Sequence, residues 1–138
     1  MIDHVNRGQR SVMMSAVRGK NTAPELVVRK AAHKFGLRFR LHSRKLPGRP
    51  DLVLRKWQTV VFVNGCFWHR HPGCKWTTIP KSNVRFWKRK FAENVLRDAA
   101  NYARLTELGW RVVILWQCEV RTTKDADAVL KAHFLTSL

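Results

Sequence analysis

The chain is poor in acidic residues and in cysteine, and it lacks long apolar runs. Only 9 of its 138 residues are Asp or Glu, against 27 Lys and Arg, so the formal net charge is +18. This excess of positive charge predicts a polyanionic partner, and nucleic acid is the obvious candidate. No apolar run approaches the ~20 residues of a membrane span, and the first residues lack the apolar segment of a secretory signal. We therefore expect a cytoplasmic protein that does not use a membrane.

The few cysteines have a spacing that favours a metal. Cys66, His71 and Cys74 follow the pattern C-x4-H-x2-C, and Cys118 is the third and last cysteine of the chain. In a reducing cytosol these four ligands suit one closed, tetrahedral structural zinc site better than a disulfide. Spacing alone allows His69 to replace His71, although His71 is nearer to Cys74. Three ordinary buried thiols are the remaining alternative.

The apolar pattern predicts one mixed α/β domain. With 45% hydrophobic residues the chain can form a single core. Residues 1–21 are polar and basic, and we expect them to form an arm with a short helix, followed by a domain over residues 22–138. A helix should begin at Thr22, with Glu25 completing a capping box, and end at Gly36. Further helices are predicted over 83–108 and 124–134, and strands over 51–54, 59–63 and 110–116, of which 59–63 is almost wholly apolar and therefore central.

An aspartate, Asp51, opens the first of these strands, directly after a Gly-Arg-Pro turn. A carboxylate in this place, followed by a hairpin to a central strand, is typical of nucleases that hold a magnesium ion beside the scissile phosphate. Taken alone, a turn-capping aspartate explains the pattern equally well.

Several segments together resemble the Vsr family of very-short-patch DNA mismatch endonucleases. They are Leu46-Pro47-Gly48-Arg49-Pro50-Asp51, Phe62-Val63-Asn64-Gly65-Cys66-Phe67-Trp68-His69, Phe86-Trp87, Asn94 to Asp98 and Gly109-Trp110-Arg111-Val112. The resemblance covers about residues 10 to 120. It implies a restriction-endonuclease-like fold, in which helices flank a central mixed sheet. It also implies nicking of one strand beside a T:G mismatch, with Mg²⁺ as cofactor and a structural Zn²⁺.

The resemblance also implies roles for single residues. Asp51 and the backbone carbonyl of Val63 match the magnesium ligands, and His69 matches the histidine that activates the attacking water. Glu25 matches an acidic residue of the active site, with a purely capping role as the alternative. The implied zinc ligands are the four residues already selected by their spacing, Cys66, His71, Cys74 and Cys118.

One catalytic position departs from the family. Asn64 stands where the well-studied members have a histidine and where many nucleases of this fold have a lysine. An asparagine can donate a hydrogen bond to phosphate or water, but it carries no charge and cannot shuttle a proton. This departure predicts weaker activity or a different substrate preference.

Aromatic and basic side chains are expected to hold the DNA. In the family, rings are wedged into the base stack beside the mismatch, where unstacking costs least. We expected the consecutive rings in a zinc-bound loop not to fit inside the core together, although a core position is the alternative for each of them. The matching or candidate DNA contacts are Phe67, Trp68, Trp87, Met14 on the arm, Arg49 near the reacting phosphate, and Lys90.

Two other functions stay open at this point. A zinc-stabilised DNA-binding module without catalysis is supported by Asn64 alone. A basic RNA-binding protein is a third reading, but it leaves Asp51, Glu25 and His69 unexplained. For the nuclease reading we expect a monomer that acts on mismatched double-stranded DNA at the bacterial nucleoid, with mismatch-repair proteins as candidate partners.

Overall fold

A computed structural model describes residues 22–135, in which four strands form one mixed sheet. The sheet has the order β1-β2-β3-β4. Neighbouring strands are antiparallel from β1 to β3, whereas β3 and β4 are parallel. The strands are β1 (Arg40–Leu41), β2 (Leu52–Leu54), β3 (Thr59–Asn64) and β4 (Arg111–Trp116). The prediction that the apolar segment 59–63 is central is confirmed, because β3 has a neighbour on each side.

Helices cover both faces of this sheet. They are α1 (Ala23–Lys34), α2 (Cys66–His69), α3 (Val84–Glu107) and α4 (Thr123–Leu130). Residues of α1 and α4 share a buried apolar cluster with one set of strand side chains, and Leu105 of α3 packs with the alternate set. This division follows from the pleat of a strand, which directs successive side chains to opposite faces. The predicted central mixed sheet with flanking helices is therefore confirmed.

The turn before β2 is held close to α3. Gly48 has a φ of +74°, and a Cβ atom there would lie 3.1 Å from Asn101 and 3.2 Å from Phe62. Arg49 also has a left-handed φ, of 48°. At position 48, only glycine can adopt this φ and also fit this space without strain, which explains the glycine of the Gly-Arg-Pro turn. It delivers Asp51 to the edge of the sheet.

The start of α1 differs from the expectation. Thr22 is at the N-cap and Pro24 lies in the first turn, as predicted, but the Thr22 side chain makes no capping hydrogen bond. Glu25 is 2% exposed and bonds to other side chains. The predicted capping box is wrong, because the Glu25 carboxylate bonds to the side chains of Arg29 and His42 and not to the backbone at the start of the helix.

Smaller differences concern the second half of the chain. On β4 only Val113 and Leu115 are buried, since an edge strand is covered less completely than a central one. The last helix ends at Leu130 and continues as a π turn over Lys131–Leu135. The predicted arm over residues 1–21, with Met14, lies outside the described residues. Within residues 22–135 no helix is long and apolar enough to cross a membrane.

Candidate active site and metal centre

Four ligand atoms converge where the loop after β3 meets the end of β4. Those of Cys66, His71, Cys74 and Cys118 all lie within 4.8 Å of one another. His71 Nδ1 is 3.7 Å from Cys66 Sγ and 3.4 Å from Cys118 Sγ. A tetrahedral zinc shell separates a sulfur and a nitrogen ligand by about 3.6 Å. The group therefore fits one closed metal site, and it contains His71 rather than His69.

The environment of these thiols suits a bound cation. Burial raises the pKa of the Cys66 thiol to about 12 when no metal is present. A backbone hydrogen bond from Trp76 lowers the pKa of the half-buried Cys74. The His71 ring stacks on Trp116, with centroids 4.3 Å apart, which fixes its orientation. A divalent ion would replace the proton of Cys66 and neutralise the thiolate charge.

Arg70 also orders the loop, through contacts that involve no cysteine. The guanidinium of Arg70 donates to the carbonyls of Phe67, Thr77 and Thr78 at 3.2, 2.8 and 2.9 Å. It also lies 3.9 Å from the ring centroid of Phe91 on α3. These bonds satisfy carbonyl groups that no regular secondary structure would satisfy. The short helix α2 is thereby fixed against α3.

Two acidic side chains and a histidine meet at the start of β2. The ligand atoms of Glu25, His42 and Asp51 lie within 4.8 Å of one another. His42 Nε2 is 2.7 Å from Glu25 Oε2 and 3.7 Å from Asp51 Oδ1. Arg29, one turn further along α1, also bonds to Glu25. The structure thus joins Glu25 and Asp51, which the sequence selected, with two residues that it did not.

The electrostatics of Asp51 favour cation binding. Its Oδ2 accepts a hydrogen bond of 2.6 Å from the Val63 amide. Burial raises the pKa of Asp51 to about 7, the Val63 bond opposes this shift, and the nearby Glu25 adds to it. Two carboxylates brought together in a buried place resist ionisation unless a positive charge joins them. Oxygen ligands of this kind are those that Mg²⁺ prefers, so the residues fit the implied ion.

His69 is oriented by a carboxylate of α3. Its Nδ1 lies 2.6 Å from Asp98 Oδ2. Since a carboxylate accepts the bond, Nδ1 carries the hydrogen, and Nε2 of a neutral ring is left as an acceptor. This tautomer is the one that a general base needs.

A hydrogen bond joins the end of β3 to α3. The buried Asn64 donates from Nδ2 to the Tyr102 hydroxyl at 2.7 Å. Burial raises the pKa of Tyr102 to about 12, the Asn64 bond opposes this shift, and the charges of Asp98 and Asp51 add to it. Asn64 at the end of β3 is therefore joined to Tyr102 on α3, the helix that also carries Asp98.

The aromatic residues form a cluster instead of a row of free wedges. Ring centroids in the cluster are 5.1 to 6.4 Å apart, and Trp68 is only 5% exposed. Trp68 packs inside this cluster, because α3 supplies further rings to cover it, whereas the neighbouring Phe67 is half-buried. Insertion of these rings into the base stack stays a prediction. The members of the cluster are Phe67, Trp68, Trp87 and Phe91.

The other candidate DNA contacts lie nearer to solvent. Phe67, Trp87 and Lys90 are half-buried, and Arg49 is exposed. Phe86, which the sequence did not select as a contact, is 49% exposed and packs against Trp87 at 5.2 Å.

Sequence reasoning assigned no role to four residues of the site, which are Arg29, His42, Asp98 and Tyr102. Asp98 lies in one of the segments that resemble the family, and it is four residues before Tyr102 on one face of a helix. That spacing was the available signal for both residues. His42 follows a two-residue strand and has no pattern around it.

Comparison with known proteins gives a consistent picture. Residues 2–75 match the family described as DNA mismatch endonuclease Vsr. The type II nicking enzyme V.XorIIP of Xanthomonas oryzae pv. oryzae is 44% identical over 131 residues, covering 95% of this chain and 96% of that protein. The DNA mismatch endonuclease Vsr of Escherichia coli is 40% identical over 121 residues, covering 88% of this chain and 77% of that protein. The type II nicking enzyme V.NmeAIP of Neisseria meningitidis is 40% identical over 121 residues, covering 88% of this chain and 86% of that protein.

Proposed function

Since the chain belongs to the Vsr family of DNA mismatch endonucleases, and is therefore a nicking endonuclease, we propose that it cuts one strand beside a T:G mismatch in a magnesium-dependent reaction. The resulting nick would start very-short-patch repair. The observation that supports this most directly is the position of Asp51. It lies beside Glu25 and bonds to the Val63 amide, and the next residue, Asn64, bonds to α3, which carries the Asp98 partner of His69.

Asp51 and Glu25 hold the cation in this proposal, with the backbone carbonyl of Val63 as a further ligand. When bound, Mg²⁺ supplies positive charge that neutralises the reacting phosphate and its leaving oxygen. The Val63 amide, bonded to Oδ2 of Asp51, fixes the direction in which this carboxylate points. Burial raises the pKa of Asp51, so a bound cation would stabilise its charged form.

His69 acts as the general base. Its Nε2 accepts a proton from a water molecule, whose oxygen then bonds to phosphorus while the bond from phosphorus to the leaving oxygen breaks. The Asp98 carboxylate stabilises the imidazolium that forms, and it keeps the ring in one orientation. The Asp98–His69 pair therefore supports His69 as the group that takes the proton.

Asn64 has a positioning role in this proposal. Its amide is buried and bonded to Tyr102, so it does not replace the proton carrier that other family members have at this position. It instead connects β3, which orients Asp51, with α3, which carries Asp98. A neutral bridge of this kind is compatible with catalysis because His69 already supplies the base.

The Cys66, His71, Cys74 and Cys118 group is proposed to bind structural zinc. All four ligand positions are filled by protein, which leaves no open position for a water or substrate. The ion would join the loop that carries His69 to the end of β4.

The DNA is proposed to lie over the loop from Cys66 to Cys74 and the basic side chains around it. Phe67, Trp87 and Met14 are proposed to contact the mismatch, and Arg49 and Lys90 its backbone. Insertion of Trp68 would require its ring to leave the aromatic cluster, so we propose that it supports Phe67 instead. Each phosphate contact releases counterions, so affinity should fall steeply as salt increases.

A strand-resolved cleavage assay tests the proposal. Purified protein with known zinc content is incubated with a T:G duplex or the fully paired duplex, with and without Mg²⁺. We expect one cut, in the T strand of the mismatched duplex only, and no cut by Asp51→Ala. Binding to the mismatch without any cut, by protein that is folded and loaded with zinc, would instead support the DNA-binding module.

A further inference from the structure

His42 gives the proposed metal site a nitrogen atom. Its side chain is 12% exposed, and its Nε2 lies 2.7 Å from Glu25 Oε2 and 3.7 Å from Asp51 Oδ1. In an octahedral shell with bonds of about 2.1 Å, neighbouring ligand atoms are about 3 Å apart and opposite ones about 4 Å. The three ligand atoms, all within 4.8 Å of one another, are therefore spaced closely enough to share one cation after small movements.

The backbone at His42 is itself unusual. Its φ is +43°, in the left-handed region that a side chain other than glycine adopts only at some cost in free energy. Its amide donates to the Asp51 carbonyl at 3.2 Å, which binds the two segments to each other. The fold therefore maintains a less favourable conformation at the residue that places an imidazole between two carboxylates.

The charges around the site weaken its preference for Mg²⁺. Arg29 bonds to Glu25 Oε2 and offsets one of the two carboxylate charges. Mg²⁺ depends on charged oxygen ligands and water, whereas first-row transition ions also bind imidazole. A site with one carboxylate bonded to Arg29, one carboxylate bonded to the Val63 amide and one histidine therefore suits a transition ion better than a purely oxygen-ligated site does.

We propose that His42 Nε2 is a direct ligand of the cation at Asp51, and that the site consequently prefers a first-row transition ion such as Mn²⁺ to Mg²⁺. This inference rests on the proposed metal site at Asp51, and it goes beyond the proposed magnesium dependence. In the metal-free protein Nε2 donates its hydrogen to the Glu25 carboxylate, which can only accept. Binding of the ion would require the ring to exchange this hydrogen with solvent and to carry its one hydrogen on Nδ1, so that the Nε2 lone pair can face the ion.

Manganese binding tests this without DNA. Mn²⁺ is titrated into zinc-loaded protein, with the free ion followed by electron paramagnetic resonance, and Mg²⁺ affinity is measured by competition. We expect Mn²⁺ to bind at least roughly tenfold more tightly than Mg²⁺. Spin-echo modulation from a directly bound ¹⁴N should be visible. Zinc content is measured before and after, so that exchange into the cysteine site is recognised.

Two variants provide matched comparisons. His42→Gln keeps a hydrogen-bond donor for Glu25 but has no ring nitrogen, so we expect loss of the ¹⁴N signal and a roughly tenfold loss of Mn²⁺ affinity, with Mg²⁺ affinity little changed. His69→Gln removes the other imidazole assigned to the proposed active site and should keep the signal. An absent ¹⁴N signal in the wild type, or an unchanged preference in His42→Gln, would overturn the inference.

The cleavage assay separates this inference from the proposed function. If the ¹⁴N signal is present but no duplex is cut with either ion, the proposed nicking fails and His42 remains a ligand. If the T:G duplex is cut with Mg²⁺ but the ¹⁴N signal is absent, nicking stands and the role of His42 is refuted.

Discussion

Replacing Asp51 by Asn should abolish nicking and, without added Mg²⁺, make the folded protein more stable. The carboxylate is mostly buried and lies close to Glu25, so its negative charge costs free energy when no cation is present. Asparagine keeps the size of the side chain and an oxygen atom for the Val63 amide. Because only the charge is removed, stability should increase as activity is lost.

The magnitude follows from the pKa. Folding raises the pKa of Asp51 from 3.8 to about 7, so the native state binds more protons than the unfolded chain between these values. The stability of metal-free wild type should therefore fall as pH rises from about 4 to about 7. At ~1.4 kcal/mol per pKa unit, the full cost above pH 7 is ~4 kcal/mol. A change of 1 kcal/mol shifts the Tm of a domain of this size by about 3 °C, so Asp51→Asn should gain up to ~12 °C at pH 8.

Thermal unfolding of zinc-loaded protein in magnesium-free buffer measures this gain. It should be smaller by about 1 kcal/mol at pH 6 than at pH 8, because the wild-type carboxyl is then mostly protonated. Added Mg²⁺ should raise the Tm of wild type but not that of the variant. Asp127→Asn is a matched control, since Asp127 pairs with Lys34 at 2.7 Å on another part of the molecule, and it should show no gain. If Asp51→Asn melts no higher than wild type at pH 8, the electrostatic account of the site is wrong.

Four further predictions concern the connections around the site. Tyr102→Phe should lower kcat about tenfold without changing DNA affinity, and adding Asn64→Ala should have little further effect, because both changes break the same bond. Asp98→Asn should lower the single-turnover nicking rate by roughly 10²-fold, since the imidazole loses its orienting charge. Cys118→Ser should reduce both bound zinc and Tm, as measured by metal analysis and thermal melting. Gly48→Ala should lower the free energy of unfolding, measured in urea, by more than about 1 kcal/mol. The φ of Gly48 is +74°, and the added Cβ would lie 3.1 Å from Asn101.

Each of these has a comparison that could contradict it. Gly36→Ala shares a positive φ of +72° but meets no atom within 4 Å, so it should cost less than Gly48→Ala. Additive effects of Tyr102→Phe and Asn64→Ala would show that the bond between them does not matter. Full zinc content in Cys118→Ser would remove this residue from the metal site. An unchanged nicking rate in Asp98→Asn would remove the orienting role of the carboxylate.

The sequence predicted those features that depend on short-range spacing. The central position of β3 followed from its unbroken apolar run, because a strand covered on both faces needs no polar side chains. Three of the four residues of the proposed zinc site, Cys66, His71 and Cys74, are close enough along the chain for their spacing to indicate one shared metal ion. The choice between His69 and His71 needed the structure, since both are within reach of Cys74 along the chain.

Features that depend on tertiary contact were beyond sequence reasoning. Glu25 has the spacing of a capping residue, but burial beside Arg29 and His42 outweighs the weak advantage of a cap. For Trp68 the sequence left both a DNA contact and a core position open, and only the structure shows that rings contributed by α3 cover it. His42 could not be selected, because only the pairing of β1 with β2 brings it to Asp51.

The segment from the last residues of β3 to the start of α2 sets the positions of three groups of the molecule. The Val63 amide fixes Asp51, the neighbouring Asn64 reaches Tyr102, and Cys66 begins the cysteine group. Lengthening or shortening this segment by one residue would misplace all three at once, whereas the exposed basic and aromatic surface is free to vary. Redesign toward another mismatch should therefore alter that outer surface and preserve the spacing from Val63 to Cys66.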